Sequence, residues 1–499
     1  MQESPSRNSR ITRGIDRYFE VSARKSTFGR EVRGGLAMFF AMAYIVVLNP
    51  LIIGTATDID GNLPGGLANT EQNIGIAIGM VAAVTALVAG VVSILMGAVG
   101  KYPFALAAGM GLNVVVAHSL APEMTWADAM GLVVLEGIIL LVLVLTGFRT
   151  AVFRAIPSDL KTAIAVGLGL FLTLVGFVNA GFIRRVPDAA DTTVPVQLGD
   201  GQLHGWPILV FVLGLALTIV LLVRGVRGAL LIGIVVATAV AVLVETVAQV
   251  GPGGEDHPYG WALNVPQLPT SVSDVMAVPD LSLLGQFHLF GSIEHVGVVA
   301  LVLLVFTLLL ADFFDTMGTS VGVAGQAGML DSEGQLPRAR EVLVVDSIGT
   351  IFGGAASASI NTVYAESAAA TGEGARTGIA AIVTGGLFLL ALPFAPLVGI
   401  VPFEAATPVL IVVGFLMMTQ VTKINFSDYG LAIPAFLTIV VMPFTYSIAD
   451  GIGAGFISYV LIRTAQGRFR EVHPLLWVVS AAFLVFFALG PIESLLGLR

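Results

Sequence analysis

The sequence predicts an all-α polytopic membrane protein with about 14 transmembrane segments in two sets of seven. Three observations predict this class. First, 56% of the 499 residues are hydrophobic and only 11% are charged, whereas soluble domains carry about 25% charged residues. Second, apolar runs long enough to cross a bilayer follow one another along the chain. Third, lysine and arginine gather on alternate loops, as they do on the cytoplasmic side of membrane proteins.

The predicted spans fall into two groups separated by a polar loop at 251–292. The first group comprises 34–56, 76–98, 104–120, 129–148, 160–180, 207–223 and 228–250. The second comprises 293–315, 340–354, 357–371, 376–399, 405–421, 429–447 and 449–464. A last apolar stretch, 474–490, is either a fifteenth span or an interfacial helix.

The basic residues orient the predicted bundle. Several arginines and one lysine precede the first span, whereas the loops 57–75, 121–128 and 251–292 contain neither residue type. Arg184 and Arg185 are the exceptions to this pattern. Because positive charge stays on the cytoplasmic side, we predict a multi-pass protein of the plasma membrane with a cytoplasmic N-terminus, surrounded by the lipid bilayer.

Several function classes are excluded or disfavoured. The chain has no cysteine, which excludes disulfides, thiol catalysis and cysteine metal sites. The six histidines have no metal-ligand spacing, and no glycine-rich segment has the context of a phosphate loop. The net charge of −9 disfavours a nucleic-acid partner. We therefore predict no catalytic residues, no cofactor and no metal site.

Three acidic residues lie within apolar surroundings. Asp312 and Asp315 follow the apolar run Val298–Leu310, and Glu366 lies in the tenth span. A helix would place Asp312, Asp315, Thr316 and Thr319 on one stripe. A charged side chain at the bilayer centre costs roughly 2.5–3.5 kcal/mol, so such residues usually mark an ion or substrate path. The alternative is a helix end that reaches water, where the acids are simply solvated.

The third and tenth spans are short and rich in small residues. The segments Pro103–Asn113 and Ser357–Ser367 occupy corresponding places in the two halves, and paired interrupted segments point to a transport site. An odd number of spans in each half gives the halves opposite orientations, as in inverted-repeat transporters. A shift of 245 residues superposes Val166–Leu170 on Ile411–Phe415, although chance explains any single match in a glycine-rich chain.

Three further sets of residues carry predictions. Asn113 and Asn361 flank the interrupted segments, where they either read an amide-like edge of a ligand or cap a half-helix. Glu136, in the fourth span, is interpreted as a structural hydrogen-bonding group. Glycines and prolines of the fifth and twelfth spans, including Gly169 and Gly414, predict bends and a sliding surface.

Taken together, the motifs resemble the AzgA-like branch of the nucleobase:cation symporters, which are adenine, guanine and hypoxanthine permeases. The resemblance runs in order from the first span to about Gly467. It is carried by Phe39–Pro50, Gly109–Asn113, Phe314–Thr319 and Ala365–Ala369.

The resemblance implies a 7+7 inverted repeat with a core domain, a gate domain and short strands in spans 3 and 10. The implied organisation is a cytoplasmic segment 1–31, core 32–150, gate with an extracytoplasmic loop 151–292, core 293–399, gate 400–467, and an extra hydrophobic segment 468–499.

The resemblance also places Asp315 and Glu366 at the acidic positions of the site. A buried carboxylate accepts hydrogen bonds from adjacent N–H groups such as those of a purine. The substrate-binding candidates are Glu366, Asp315, Phe314, Tyr364, Phe104, Asn113, Thr319 and Ser367. Lipid or core packing is the alternative for each aromatic residue. Since burial favours the neutral form of a carboxyl group, the proton-coupling candidates are Asp315, Asp312 and Glu366.

We therefore predict a secondary active transporter that imports purine nucleobases by proton symport with alternating access. Sodium is an alternative coupling ion, and the sequence is compatible with a homodimer. The alternative functions are an anion carrier of the sulfate or bicarbonate type on the same fold and a passive channel. The sequence does not rank the purines.

Overall fold

The computed structural model describes most of the chain. The described residues are 14–146, 156–186, 195–226, 228–254, 257, 259–262, 264–331 and 336–495, without the side chains of 71, 299, 314, 318, 326 and 489–495.

Helices account for most of the first half. They are α1 Phe28–Met42, α2 Ile45–Ile53, α3 Glu71–Leu95, α4 Met110–Val115, α5 Trp126–Thr146, α6 Ser158–Asn179, α7 Trp206–Val223 and α8 Ala229–Ala248. Five short strands lie among them: β1 Asn62–Leu63, β2 Leu67–Ala68, β3 Leu106–Ala108, β4 Ile183–Arg185 and β5 Val196–Leu198.

The second half repeats the helical character with one strand, β6 Asn361–Val363. Its helices are α9 Ser292–Gln326, α10 Ala339–Ala355, α11 Ser367–Gly372, α12 Gly378–Ala391, α13 Phe403–Ala406, α14 Pro408–Met418, α15 Tyr429–Thr445, α16 Ile448–Ala465 and α17 Pro474–Leu495. The longest helix, α9, bends at Gly297, where φ is 75° and ψ is 167°.

The described residues contain 10 helical segments long and apolar enough to cross a membrane. They coincide with ten of the fourteen predicted spans, and the helical, polytopic class is confirmed. The third and tenth spans are absent from the ten because β3 and β6 interrupt them. The ninth and thirteenth correspond to α10 and α15, each of 17 residues, which is shorter than the roughly 20 residues of an average span. The fourteen-span repeat stays a prediction.

Glycines allow the helices around the interrupted segments to approach closely. A Cβ added at Gly90 of α3 would lie 3.0 Å from the carbonyl oxygen of Gly385 in α12. About two turns further along the same contact, Gly97 packs against the backbone of Gly378. Small residues permit such backbone contacts between membrane helices. The two helices therefore pack closely, and α3 in turn contacts β3.

The C-terminal helix α17 packs on α16. Phe483 is fully buried, and its ring lies 6.4 Å from that of Phe456, centroid to centroid. A Cβ at Gly453 would lie 2.7 Å from Cδ1 of Phe483, so this glycine makes room for the ring. The predicted apolar stretch 474–490 is therefore one helix packed against the bundle.

Candidate functional site

The two interrupted segments meet as a pair of antiparallel strands. Ala107 of β3 lies opposite Thr362 of β6, with Leu106 opposite Val363. The pairing continues past the strand ends, where Gly109 N–H donates to the carbonyl of Ile360 at 2.8 Å. Backbone groups at this depth need such partners because lipid offers none. The predicted short strands of spans 3 and 10 are confirmed.

Two serines anchor the β3 side of this pair. Ser93 of α3 accepts a hydrogen bond from Leu106 N–H at 3.0 Å and donates to the Leu106 carbonyl at 3.1 Å. Ser367 accepts one from Ala105 N–H at 3.1 Å. The Ser367 side chain is fully buried and does not line the cavity beside the strands. Ser367, predicted to contact substrate, is therefore bonded to the protein backbone instead.

A cavity of about 170 Å³ opens between the strand pair and two helices of the predicted gate. One wall comes from Tyr44, α4, α9, β6 and the segment after β6, and the opposite wall comes from α6 and α14. The lining residues are Tyr44, Gly109, Met110, Gly111, Leu112, Leu168, Asp315, Thr319, Thr362, Val363, Tyr364, Ala365, Glu366, Val413, Leu416, Met417 and Gln420.

Glu366 presents its carboxylate to this cavity. Its Oε1 accepts a hydrogen bond of 2.7 Å from the hydroxyl of Tyr44. Its Oε2 receives no hydrogen bond from another residue in the described part of the chain. The Tyr44 bond fixes the orientation of the carboxylate, and Oε2 remains open to a donor from a ligand.

Asp315 and Thr319 line the cavity from α9. Asp315 Oδ2 accepts a hydrogen bond of 3.3 Å from the Thr362 hydroxyl of β6. The same helix turns Asp312 and Thr316 away from the cavity. An α-helix turns by about 100° per residue, so the four residues of the predicted polar stripe do not all point in one direction. Asp315 and Thr319 face the cavity, whereas Asp312 and Thr316 pack behind β6.

Asp312 is fully buried near the middle of α9. Its Oδ2 accepts a hydrogen bond of 3.2 Å from the Thr350 hydroxyl of α10. The alternative of a solvated acid at a helix end is therefore wrong for Asp312. The residue also does not line the cavity.

Of the aromatic candidates, one lines the cavity and one packs in the core. Tyr364 lines the cavity, its hydroxyl donates to the Ala108 carbonyl at 2.5 Å, and its ring lies 6.4 Å from that of Tyr44. Phe104 is fully buried outside the cavity lining and stacks on Tyr102 with centroids 4.9 Å apart. The structure thus places Phe104 in core packing. The side chain of Phe314 lies outside the described residues.

The two asparagine candidates lie behind the cavity. Asn113 of α4 is fully buried, and neither atom of its amide group has a hydrogen-bond partner among the described residues. Asn361 donates to the Ser359 carbonyl at 3.1 Å. Neither residue lines the cavity. Their polar groups therefore lie in the protein interior.

Sequence reasoning did not identify Tyr44, Thr362 or Gln420 as site residues. Tyr44 belongs to a motif that carried the family resemblance, but a tyrosine in an apolar helix indicates packing as often as binding. The titratable side chains that line the site include two acids, Asp315 and Glu366, but no lysine, arginine or histidine among the described lining residues.

Comparison with protein families decides the class. The family model described as "Permease family" matches residues 29–454. The chain belongs to this permease family. The prediction that it is a transporter and not an enzyme is thereby confirmed, and so is a multi-pass membrane protein.

Two relatives illustrate the relationship. The chain is 36% identical to the guanine/hypoxanthine permease PbuG of Bacillus subtilis, over 94% of this chain and 98% of that protein. It is 34% identical to the adenine permease AdeP of Escherichia coli, over 94% of this chain and 95% of that protein. The resemblance stated from the motifs is therefore confirmed over nearly the full length of the permease.

Solved structures share the fold at low identity. The transmembrane domain of the cyanobacterial bicarbonate transporter BicA matches with a TM-score of 0.57 and 13% identity, over 85% of this chain and 97% of that domain. Murine Slc26a9, an anion transporter in an inward-facing state, matches with a TM-score of 0.58 and 11% identity, over 93% and 73%. At this identity the likeness concerns the fold alone.

Proposed function

We propose that the protein transports purine nucleobases by proton symport, with substrate bound in the cavity between the β3–β6 pair and helices α6 and α14. The observation that supports this proposal is the carboxyl group of Glu366, which lines the cavity and accepts a hydrogen bond from Tyr44 through only one of its two oxygens. The relatives named as guanine/hypoxanthine and adenine permeases support the substrate class.

The cavity offers groups that match the chemistry of a purine. Ring N–H groups would donate to Glu366, and such charge-assisted bonds are stronger than neutral ones. The rings of Tyr44 and Tyr364 provide aromatic surface for stacking, and the amide of Gln420 can both donate and accept. Drug-sized ligands occupy about 300–1,000 Å³, so a cavity of about 170 Å³ suits a smaller ligand.

The origin of the cavity-lining residues supports alternating access as the mechanism. The strands, α9 and Glu366 belong to the predicted core, whereas Leu168 of α6 and Met417 of α14 belong to the predicted gate. Relative movement of one set of elements against the other changes access without taking the binding groups apart. The interrupted segments need their packing partners, which supports a core that moves as a unit.

Proton coupling is assigned to Asp315, Glu366 and Asp312. Asp315 and Glu366 share the substrate cavity, and Asp312 lies one helical turn from Asp315 behind the strand. Proton entry with a neutral nucleobase would be driven by about 2.3 kcal/mol per charge per 100 mV. Sodium is the alternative coupling ion, and the transport experiment below compares a sodium gradient with a proton gradient.

An anion carrier is the second candidate, favoured by the fold shared with a bicarbonate transporter. The cavity opposes it, since two carboxyl groups line the site and no basic residue among the described lining residues offsets them. Like charges at short range repel strongly away from bulk water. A passive channel is the third candidate and would show no saturation or accumulation.

Uptake of labelled hypoxanthine into proteoliposomes tests the function and its coupling together. We expect saturable accumulation under an inward proton gradient and its loss with an uncoupler, with no requirement for sodium. Asp315→Asn should retain exchange of internal for external hypoxanthine but lose proton-driven accumulation, because an amide cannot exchange a proton. Accumulation driven by sodium alone, or linear uptake without saturation, would contradict the proposed mechanism.

Orientation in the plasma membrane belongs to the same proposal. The chain has no cysteine, so single cysteines introduced at exposed loop positions can be labelled without background. Leu268 and Phe426 are exposed and are predicted to lie on opposite sides. In intact cells we expect an impermeant thiol reagent to label Leu268→Cys and to spare Phe426→Cys. Cross-linking of the purified protein in membranes would test the homodimer.

A further inference from the structure

A second group of carboxylic acids lies behind β6, outside the substrate cavity. It consists of Glu136 of α5, Asp312 of α9 and Asp346 of α10, each 0% exposed. We refer to these three residues as the buried carboxyl cluster. Sequence analysis did not identify Asp346, and it assigned Glu136 a structural hydrogen bond.

The helices that carry the cluster pack closely. A Cβ at Gly137, next to Glu136, would lie 2.9 Å from the backbone nitrogen of Ile351 in α10. Glu136 thereby adjoins both Asp312 and Asp346. Asp315 of α9 is the nearest further titratable group on the three helices, and the described parts of α3, β3 and β6 that pack beside the cluster carry none. The other charged or titratable residues of these helices lie nearer their ends: Asp128, Glu294, His295, Arg340 and Glu341.

Among the described residues, Glu136 has no hydrogen-bond partner other than a second carboxyl group, that of Asp312. Neither of its oxygens receives a hydrogen bond from a hydroxyl, amide or cationic group in the described part of the chain, and the same holds for Oδ1 of Asp312 and Oδ2 of Asp346. The hydrogen bond predicted for Glu136 is thus one that it shares with the carboxyl group of Asp312, and it forms only when one of the two groups carries a proton. Its carboxyl group is directed only at two other carboxyl groups.

Charge considerations then limit the states of the cluster. Three ionised carboxylates without a cation cannot coexist at this depth, since burial and like-charge repulsion both oppose ionisation. A carboxyl group donates a hydrogen bond to another only when it carries a proton. No group of acids and histidines among the described residues has the geometry to hold a metal ion. Protons are thus the ligands that fit this cluster.

Two threonines link the cluster to the wall of the substrate cavity. The Thr316 hydroxyl donates to Asp346 Oδ1 at 2.7 Å and accepts from the backbone N–H of Val363 in β6 at 3.4 Å. The Thr350 hydroxyl can donate to Asp312 at 3.2 Å or to the Asn361 carbonyl at 3.3 Å. A shift of β6 would therefore alter the hydrogen bonds of both aspartates.

We propose that the buried carboxyl cluster of Glu136, Asp312 and Asp346 stores the proton that is exchanged during transport. In this step the O–H bond of Asp315 breaks as an O–H bond forms on the Asp312 carboxylate, and Glu136 and Asp346 share the proton thereafter. The reverse transfer returns it to the cavity. The inference rests on the proposed proton coupling and extends it to residues that do not touch substrate.

Amide variants test this role without changing side-chain size. Glu136→Gln and Asp346→Asn should bind hypoxanthine with near wild-type affinity, because neither residue lines the cavity. Both should lose proton uptake on hypoxanthine binding in weakly buffered detergent solution, and both should lose proton-driven accumulation in proteoliposomes. Glu136→Asp retains a titratable group and should restore part of both signals. Ser347→Ala, beside Asp346 and equally buried, is the matched control and should behave as wild type.

The outcomes separate this inference from the function it rests on. Normal proton uptake and accumulation in both amide variants would overturn the role of the cluster. Absence of hypoxanthine binding by the wild-type protein would instead overturn the proposed function. If the variants do not fold, infrared spectroscopy of the wild-type protein tests the inference instead. Its infrared spectrum at neutral pH should contain a band of protonated carboxyl groups, and absence of that band would also overturn the inference.

Discussion

The hydroxyl of Tyr44 donates a hydrogen bond of 2.7 Å to Oε1 of Glu366, between residues 322 positions apart in sequence. The bond joins the junction of α1 and α2 to the segment between β6 and α11. Both residues line the cavity, so the contact positions the carboxylate that we assign to substrate binding. Removal of either partner therefore tests a different part of the site.

Tyr44→Phe removes the hydroxyl and keeps the ring. A hydrogen bond to a charged group contributes about 1.5–3 kcal/mol, and here its loss leaves the carboxyl group of Glu366 less well oriented. We expect equilibrium hypoxanthine binding to weaken by about ten-fold, or roughly 1.4 kcal/mol. Tyr259→Phe is the matched control, because Tyr259 also bonds a carboxylate, Asp200, but outside the cavity. Equal affinity for Tyr44→Phe and wild type would remove Tyr44 from the site.

Glu366→Gln replaces the proposed acceptor with a neutral amide of the same shape. The charge-assisted bond to a ring N–H becomes a weaker neutral one, and the Tyr44 hydroxyl can still donate to the amide oxygen. We expect binding to fall by more than about ten-fold, a loss of at least roughly 1.4 kcal/mol. Isothermal titration of the purified variant measures this directly. Wild-type affinity in a folded Glu366→Gln protein would exclude Glu366 as a ligand.

Gly169 and Gly414 join two helices of the gate. A Cβ at Gly169 would lie 2.7 Å from the Gly414 carbonyl oxygen and 2.7 Å from Cβ of Met417. The expected sliding surface is thus a tight contact between α6 and α14. Leu168 and Met417 both line the cavity, so a change at this contact also reaches the binding site.

Gly169→Ala should therefore destabilise the protein and weaken binding together. Overpacking of a close contact costs typically about 1–3 kcal/mol, which would lower the midpoint of thermal unfolding in detergent. Gly386→Ala is the control, since a Cβ at this helical glycine meets nothing within 4 Å. A Gly169→Ala protein as stable as Gly386→Ala would show that α6 and α14 do not pack as described.

Asp428 forms an ion pair with Arg463 at 2.8 Å where α15 begins. The hydrogen bond from Arg463 holds the pKa of Asp428 below its ordinary value. A lowered pKa in the folded state stabilises the protein above the unfolded value of about 3.9, and this contribution is lost as pH falls through the folded pKa.

Asp428→Asn should consequently unfold at a lower temperature than wild type near neutral pH. The difference should shrink at acidic pH, where the wild-type carboxylate is also neutral. The effect is small because the pair is partly exposed and screened by solvent. Asp280→Asn is a matched control, because the Asp280 carboxylate accepts a hydrogen bond from the backbone N–H of Ser282 and not from a basic side chain. A difference that stays constant between neutral and acidic pH would exclude the ion pair as its cause.

The sequence predicted those features that depend on local pattern. Apolar runs marked the ten long helical spans, since a bilayer demands length and hydrophobicity. The small, polar composition around Ala107 and Thr362 predicted the interrupted segments, which pair as β3 and β6. Asp315 and Glu366 were recognisable because acids at this depth are costly.

Other features depend on contacts between distant elements and leave no local signal. Asp346 lies in a helix with other charged residues, so the sequence alone does not mark it as a buried acid. Its burial becomes clear only from the packing of α5 and α9 beside it. Phe104 precedes β3 and stacks on Tyr102, away from the cavity. Asp312 shares a helical stripe with Asp315 but packs against α10 and does not line the cavity, because only packing decides which edge of a stripe lines a cavity.

The proposed cavity binds a purine nucleobase rather than an inorganic anion. Competition against labelled hypoxanthine bound to the purified wild-type protein measures this most directly. We predict that adenine or guanine displaces the label at concentrations near its own, and that uracil, sulfate and bicarbonate do not. Displacement by sulfate or bicarbonate with no effect of any purine, or no saturable hypoxanthine binding at all, would contradict the account.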